Sequence, residues 1–442
     1  MSSRVFHLLA ALLLTACAGP PAPTSIVLVT IDTLRADRLG CYGYFRDTSP
    51  SLDRLAGDAV LFTHALTPMA TTLPAHVSLM TSLYPTQHGV RGNFEHFGRP
   101  LETGESASTL AEILRADGWT TAAFVAATPL KRDSGIATGF DFFDQPERES
   151  RRAGVVVERA LAWLDARDDE PFFLWLHLWD PHHPYAPPPE FERAFTGSDD
   201  VVAWMAERGF SGVDDPDVIR QNNDYDDEIR YVDSQIGVLL AGLEARDLYD
   251  EIGLVITSDH GEGLGQHDWL RHGRIYEEGL RVPLIMRFPP ELGLNGRRHD
   301  GLASLIDVLP TLAGRLDLPL DDARRLRLEG VDLLTGSPTR RLLFAERVYR
   351  SRTPWEDGDK YALTDGEWKY FHLSEAPDQL FHLATDPYEL DDVIERHPEI
   401  ARRMGTRLDE LRAELARSAV ELGGEGLSEE RRKELESLGY VE

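Results

Sequence analysis

The chain is laid out as short apolar runs that stop abruptly at polar residues, separated by stretches in which apolar positions recur at helical spacing. Ile26 to Ile31, Phe172 to Trp179 and Gly253 to Ser258 are nearly continuous apolar runs of strand length. Runs of this kind fit strands buried on both faces, as in a parallel sheet covered by helices. Ile229, Val232, Ile236, Leu239, Leu240 and Leu243 fall at helical spacing and predict a core helix over Glu228 to Leu243. The alternation predicts an α/β fold, with a mainly parallel central sheet flanked by helices.

From about Arg341 the pattern shifts to short strand-like runs, Trp368-Lys369-Tyr370-Phe371 among them. After Pro398 it turns helical, with Ile400, Met404, Leu408 and Leu411 on one face. Between Phe191 and Asn223 lies an acidic stretch that reads equally as a lid over a site or as a solvated insertion. With 442 residues, one large domain with an appendage is expected.

Chemistry gathers where the apolar runs end. Asp32 follows the first run and Asp259-His260 the third. In open α/β sheets the carboxyl edge of the strands is where ligands bind. Thr72-Leu73-Pro74-Ala75-His76 adds a hydroxyl that a metal could turn into a nucleophile. Further along come Asp180-Pro181-His182-His183-Pro184-Tyr185, Tyr225-Asp226-Asp227-Glu228-Ile229, Ser258-Asp259-His260-Gly261-Glu262 and Glu277-Glu278-Gly279-Leu280-Arg281-Val282-Pro283. With Asp32-Thr33-Leu34-Arg35-Ala36-Asp37 and the Thr72 segment through Tyr84-Pro85 and His88-Gly89-Val90, six motifs stand in order. In this set and order the chain resembles the sulfatase branch of the alkaline phosphatase superfamily.

The resemblance implies a catalytic domain over residues 25–340. It also implies a small C-terminal antiparallel α+β subdomain with a helical tail over residues 341–442, to which Leu380 to Pro387 belongs. It implies a single divalent metal ion held by Asp32, Asp259 and His260, with the Thr72 oxygen as a further ligand. His260 shifts that ion toward zinc or manganese and away from calcium, because imidazole suits transition metals. His182 matches the histidine that in relatives binds the leaving group or donates its proton, and His183 competes for that role. His272 sits where sulfatases place a lysine over the transferred group. Asn93 and Thr128 fall at substrate-binding positions of phosphonate monoester hydrolases. His76 is open between a substrate contact, a positioning role toward Thr72 and a purely structural histidine.

The departures carry as much information. Sulfatases use Cys or Ser at the position of Thr72 and oxidise it to formylglycine. Thr72 cannot form that group, and the only cysteines are Cys17 and Cys41. Thr-x-Pro-x-His instead resembles relatives that cleave phosphodiesters with an unmodified threonine. A sulfate on Thr72 would lack the exit that formylglycine provides, whereas a phosphate on Thr72 can be released by attack of water. Ala126 and His272 replace two lysines, and His76 an arginine, so the pocket suits a monoanionic diester better than a dianionic phosphate monoester. The expected activity is metal-dependent hydrolysis of phosphate diesters or phosphonate esters. The rivals are an arylsulfatase-like enzyme without formylglycine, a phosphoethanolamine-type transferase, and a non-catalytic binding protein.

Charge and the N-terminus bear on location. A net charge of −29 argues against nucleic acid as a partner. Val5 to Leu14 is apolar but too short to span a bilayer, and Leu14-Thr15-Ala16-Cys17 after it resembles a bacterial lipoprotein signal. Residues 1–16 then read as signal peptide and 17–24 as an extended tether from lipidated Cys17. Ala18, not Asp, argues against inner-membrane retention. The expected place is the cell envelope outside the cytoplasm, acting on a small-molecule or envelope-associated ester. Cys41 would then have no partner for an intrachain disulfide.

Overall fold

β1 (Ile26–Ile31) lies at the middle of the molecule with all six residues buried. The computed structural model describes residues 25–94, 97–98, 101, 108–197, 199–316, 320, 328–335, 341–348 and 358–419. The expected signal and tether, with Cys17, lie outside them. β2 (Val60–Leu66), β3 (Thr120–Phe124), β4 (Phe142–Asp144), β5 (Phe172–Leu178), β6 (Gly253–Ser258), β7 (Arg281–Arg287) and β8 (Arg297–Ser304) complete an eight-stranded sheet. Its order is β4-β3-β5-β1-β6-β7-β2-β8. Every neighbouring pair is parallel except the two that involve β7. A strand buried on both faces shows the same unbroken apolar run in either direction, so the reversal of β7 is invisible in the pattern.

The two faces of β1 feed two cores. Val27, Val29 and Ile31 pack with helices Pro50–Gly57, Ala153–Ala166 and Pro216–Glu244. Ile26 and Leu28 pack with helices Thr72–Thr81, Leu110–Ala116 and Val308–Leu316. The expected helix is therefore present, and all six of its predicted core residues are buried. It begins earlier than expected, at Pro216, because Asp215 caps it by accepting from the Asp217 amide.

A second, antiparallel sheet has the order β12-β11-β10-β9. Its strands are β9 (Leu343–Arg347), β10 (Lys360–Thr364), β11 (Trp368–Leu373) and β12 (Gln379–His382). Helix Pro398–Arg417 covers it with Met404 and Leu408 buried and Ile400 and Leu411 partly so. The acidic stretch after Phe191 is neither a free lid nor a solvated insertion. It forms helix Asp199–Glu207, whose Val201, Trp204 and Met205 join the main core. The Arg38 guanidinium lies 4.3 Å over the Trp204 ring. Beyond this helix the Ser211 amide donates to the Gly265 carbonyl at 2.9 Å, so the segment braces the loop after Asp259-His260.

Candidate active site and metal centre

Three central strands deliver the site. Ile31 on β1 is level with Leu178 on β5 and with Ser258 on β6. One residue further on, Asp32 and Asp259 therefore emerge side by side from the carboxyl edge of the sheet. Both are fully buried, as is His260. The Thr72 hydroxyl meets this group because helix Thr72–Thr81 lies on the adjacent face: the Thr72 Oγ1 is 3.5 Å from the His260 Nε2. Thr72 occupies the first turn of that helix, where unpaired backbone N–H groups favour an anion.

Asp259 and His260 each have one atom tied back and one left open, while Asp32 has both oxygens open. Asp259 Oδ1 accepts from the amides of His260 at 2.9 Å and Thr33 at 3.2 Å. Its Oδ2 has no hydrogen-bond partner and faces His260 Nε2 at 3.3 Å. His260 Nδ1 donates to the Gly261 carbonyl at 3.0 Å, which leaves the Nε2 lone pair free. Neither oxygen of Asp32 has a hydrogen-bond partner, and Oδ1 is 3.9 Å from His260 Nε2. One ligand atom from each of Asp32, Asp259 and His260 lies within 4.8 Å of the others.

Burial raises the Asp32 carboxyl well above its ordinary range and, with Asp32 beside it, pushes Asp259 up to about 7. Burial lowers His260 to about 4, so its ring is neutral and available as a ligand. Two orphaned carboxylate oxygens facing a neutral imidazole nitrogen are what a divalent cation would satisfy. The donor set fits the ion that the sequence implies. An N₁O₂ set with a hydroxyl nearby can hold a divalent cation.

The backbone is forced at this edge. Thr33, a β-branched residue, sits at φ 56°, a left-handed conformation that costs about 1–3 kcal/mol. The Tyr225 hydroxyl donates to its carbonyl at 2.7 Å and holds it there. A Cβ at Gly261 would come within 1.9 Å of the Glu278 carbonyl oxygen, so only glycine lets the Glu277–Leu280 turn close behind His260. Arg35 donates to the Glu262 carbonyl at 3.0 Å and to the Gln266 side chain at 2.9 Å, fixing the same loop away from substrate.

Other sequence candidates separate into those that join the site and those used elsewhere. The His272 ring centroid lies 4.5 Å from that of His260 and 5.4 Å from that of His182. Burial, reinforced by neighbouring imidazoles, lowers both His182 and His272 well below the ordinary value. His182 donates from Nδ1 to the His183 carbonyl and stacks on Trp179. His183 instead packs edge-on against Tyr185, so His182 is the ring that joins the cluster. Asn93 accepts from the Leu73 amide at 2.9 Å, which ties its carboxamide beside Thr72.

Two candidates are spent inside the protein. His76 Nδ1 donates to the Thr72 carbonyl at 2.7 Å, and its Nε2 lies 2.9 Å from the Thr30 hydroxyl. That hydroxyl accepts from Trp175 Nε1, so its own proton goes to His76. With both nitrogens engaged inside the protein, His76 anchors the first turn of the helix that carries Thr72. The Thr128 hydroxyl donates to the Glu149 carbonyl at 2.8 Å, so its proton is not available to a substrate. Asp180, on the same loop as His182, is likewise structural: it accepts from the Ala153 amide at 2.8 Å and pairs with Arg152.

His177 and Glu262 stand beside the site as well, although no motif marks them as site residues. Both are fully buried beside the site; Glu262 leaves both carboxylate oxygens unpaired, and burial pushes it up to about 8. An ionisable residue in an otherwise apolar strand, as at His177, was the available signal.

The family model "Sulfatase" matches residues 24–318. The chain belongs to the sulfatase family. As a sulfatase-family protein it is an ester-hydrolysing enzyme. It is 25% identical to the ulvan-active sulfatase of Formosa agariphila, over 92% of this chain and 83% of that protein. It is 24% identical to the multifunctional alkaline phosphatase superfamily protein PehA of Trinickia caryophylli, over 84% of this chain and 90% of that one. The phosphonate monoester hydrolase of Agrobacterium radiobacter superposes with a TM-score of 0.73 at 24% identity, covering 89% of this chain and 96% of that one. This sulfatase-family protein therefore shares its fold with enzymes named for sulfate esters and for phosphonate esters alike.

Proposed function

We propose that this sulfatase-family hydrolase cleaves phosphate diesters or phosphonate esters with Thr72 as an unmodified nucleophile. The observation that carries the reading is a threonine hydroxyl at a helix N-terminus, 3.5 Å from the open nitrogen of His260, beside unpartnered carboxylate oxygens of Asp32 and Asp259. A divalent ion bound by Asp32, Asp259 and His260, with zinc or manganese favoured, would acidify the Thr72 hydroxyl and neutralise charge on the ester. Thr72 attacks phosphorus, and a phosphorus–oxygen bond to Thr72 forms as the bond to the leaving alcohol breaks. The proton given up by Thr72 leaves with that alcohol. His182 and His272 are suited to relay it: His182 has Nδ1 committed to the His183 carbonyl, and His272 is bonded to that of Ala70. Each then offers its other nitrogen to the reaction.

In the second half, one of these imidazoles takes a proton from water as the water attacks the Thr72 ester, restoring the hydroxyl. Asn93, held beside Thr72, presents its amide N–H groups to the non-bridging oxygens. Neutral imidazoles hold a singly charged diester without the cationic cluster that a dianion requires. The N-terminal pattern supports a lipid anchor at Cys17 that places the enzyme at the cell envelope, and loss of lipid labelling in Cys17→Ala is the expected result.

The test is hydrolysis of matched nitrophenyl sulfate, phosphate monoester and phosphate diester with manganese or zinc added. Diester turnover should dominate and fall by at least about 10³-fold in Thr72→Ala, the order of loss for removing a nucleophile. Thr72→Ala should keep the wild-type circular dichroism spectrum. Efficient sulfate turnover, or near-normal diester turnover in Thr72→Ala, refutes the reading.

A further inference from the structure

His177 has no role in the chemistry above, yet it stands at the centre of the sheet directly behind Asp32. It is fully buried on β5, level with Thr30 on β1. The Ala126 amide donates to its Nδ1 at 3.3 Å. An amide N–H can only donate, so Nδ1 carries the lone pair and the ring proton sits on Nε2. That Nε2 has no hydrogen-bond partner and lies 3.4 Å from Asp32 Oδ2. The contact is long for a hydrogen bond, and neither atom has another hydrogen-bond partner among the described residues.

The two oxygens of Asp32 are thereby divided. Oδ2 points to His177, while Oδ1 faces His260 Nε2 at 3.9 Å. Asp259 shows the same division by other means, since two backbone amides hold its Oδ1 and leave Oδ2 open. Among the described residues no backbone amide donates to Asp32, so without His177 its carboxylate would be free to turn about its last torsion.

We propose that His177 is a positioning residue of the metal centre: its Nε2–H orients Asp32 so that Oδ1 is presented to the cation. The inference rests on the reading of Asp32, Asp259 and His260 as metal ligands. Hydrogen-bonding partners behind metal ligands typically change metal affinity 10–100-fold, and an effect of about that size is expected.

The experiment measures binding of Zn²⁺ or Mn²⁺ alone to the purified full chain, by competition with a chromophoric chelator. His177→Leu keeps a side chain of similar bulk without the donor, and should bind about 10–100-fold more weakly. His177→Gln retains an amide N–H at similar reach and should recover most of that loss. Unchanged affinity in His177→Leu, or a His177→Gln variant as weak as His177→Leu, overturns the proposal. Asp32→Asn separates the two levels of inference. A wild-type chain that binds no ion, or binds equally well after Asp32→Asn, refutes the metal reading and takes the positioning role with it. Should His177→Leu fail to fold, the ring can be read in the wild type by ¹⁵N histidine spectra, with His177→Gln assigning the signal. Nε2–H in the metal-free protein is required, and the Nδ1–H tautomer overturns the proposal.

Discussion

Removing a carboxylate from water leaves it in need of a proton, a donor or a cation, and Asp259 shows how one side chain combines these. Two backbone amides hold one of its oxygens, while the other faces His260 at 3.3 Å with nothing bound to it. The His260 imidazole is the sole nitrogen among Asp32, Asp259 and His260, and its Nε2 lies 3.5 Å from the Thr72 hydroxyl. His260→Ala should therefore lower the metal retained per chain after dialysis, measured by plasma mass spectrometry, and lower turnover with it. Unchanged stoichiometry would remove His260 from the site. The identities of Asp32, Thr72, Asp259 and His260 were legible in the sequence because each stands at the end of an apolar run or within an ordered motif. Which atom of each is open was not, since that depends on amides and rings contributed by other strands.

Among the elements, helix Pro216–Glu244 shows how a charged position inside an apolar stripe is accommodated. Asp226 is fully buried and accepts from Arg38 at 3.1 Å, from the Tyr44 hydroxyl at 2.6 Å and from Arg46 at 2.6 Å. Arg38 is also fully buried, packed on Trp204. Asp226→Ala would strand that guanidinium in the core. Removing one partner of a buried ion pair costs about 3–5 kcal/mol, and a loss of that order is expected in urea unfolding. A change below about 1 kcal/mol, within the range of an exposed pair, would show that water reaches the site. Helical spacing announced this element, but the purpose of Asp226 is visible only once residues 38–46 are placed against it. The same holds for helix Asp199–Glu207, whose acidic composition hid the buried Val201, Trp204 and Met205.

At the level of the whole molecule, the loop beyond the metal site is tied to residues that follow the second sheet. His267 donates from Nδ1 to Glu278 at 2.9 Å and from Nε2 to the Glu389 carbonyl at 3.1 Å. Two acceptors require two ring protons, which is the imidazolium form. Burial opposes that charge, but the Glu278 carboxylate outweighs it and raises His267 above the ordinary 6.5. A group more basic in the folded state contributes stability that is complete below its unfolded pKa and is lost as pH rises through its folded value. The melting temperature should therefore fall as pH climbs above about 6.5, and fall less in His267→Gln. Parallel profiles for the two proteins would show that His267 carries no charge across this contact.

The sequence by itself determined the fold class, the placement of two acidic strand ends at one sheet edge, and a threonine in place of cysteine at position 72. These follow from local periodicity and residue identity, which the chain carries without reference to its partners. Tertiary structure alone decided that β7 runs backwards and that His76 and Thr128 spend their polar atoms on the protein. It alone brought His182 rather than His183 to the cluster, and set His177 behind Asp32. Each of those outcomes involves a partner tens or hundreds of residues away, and a buried polar atom takes its role from the partner it meets.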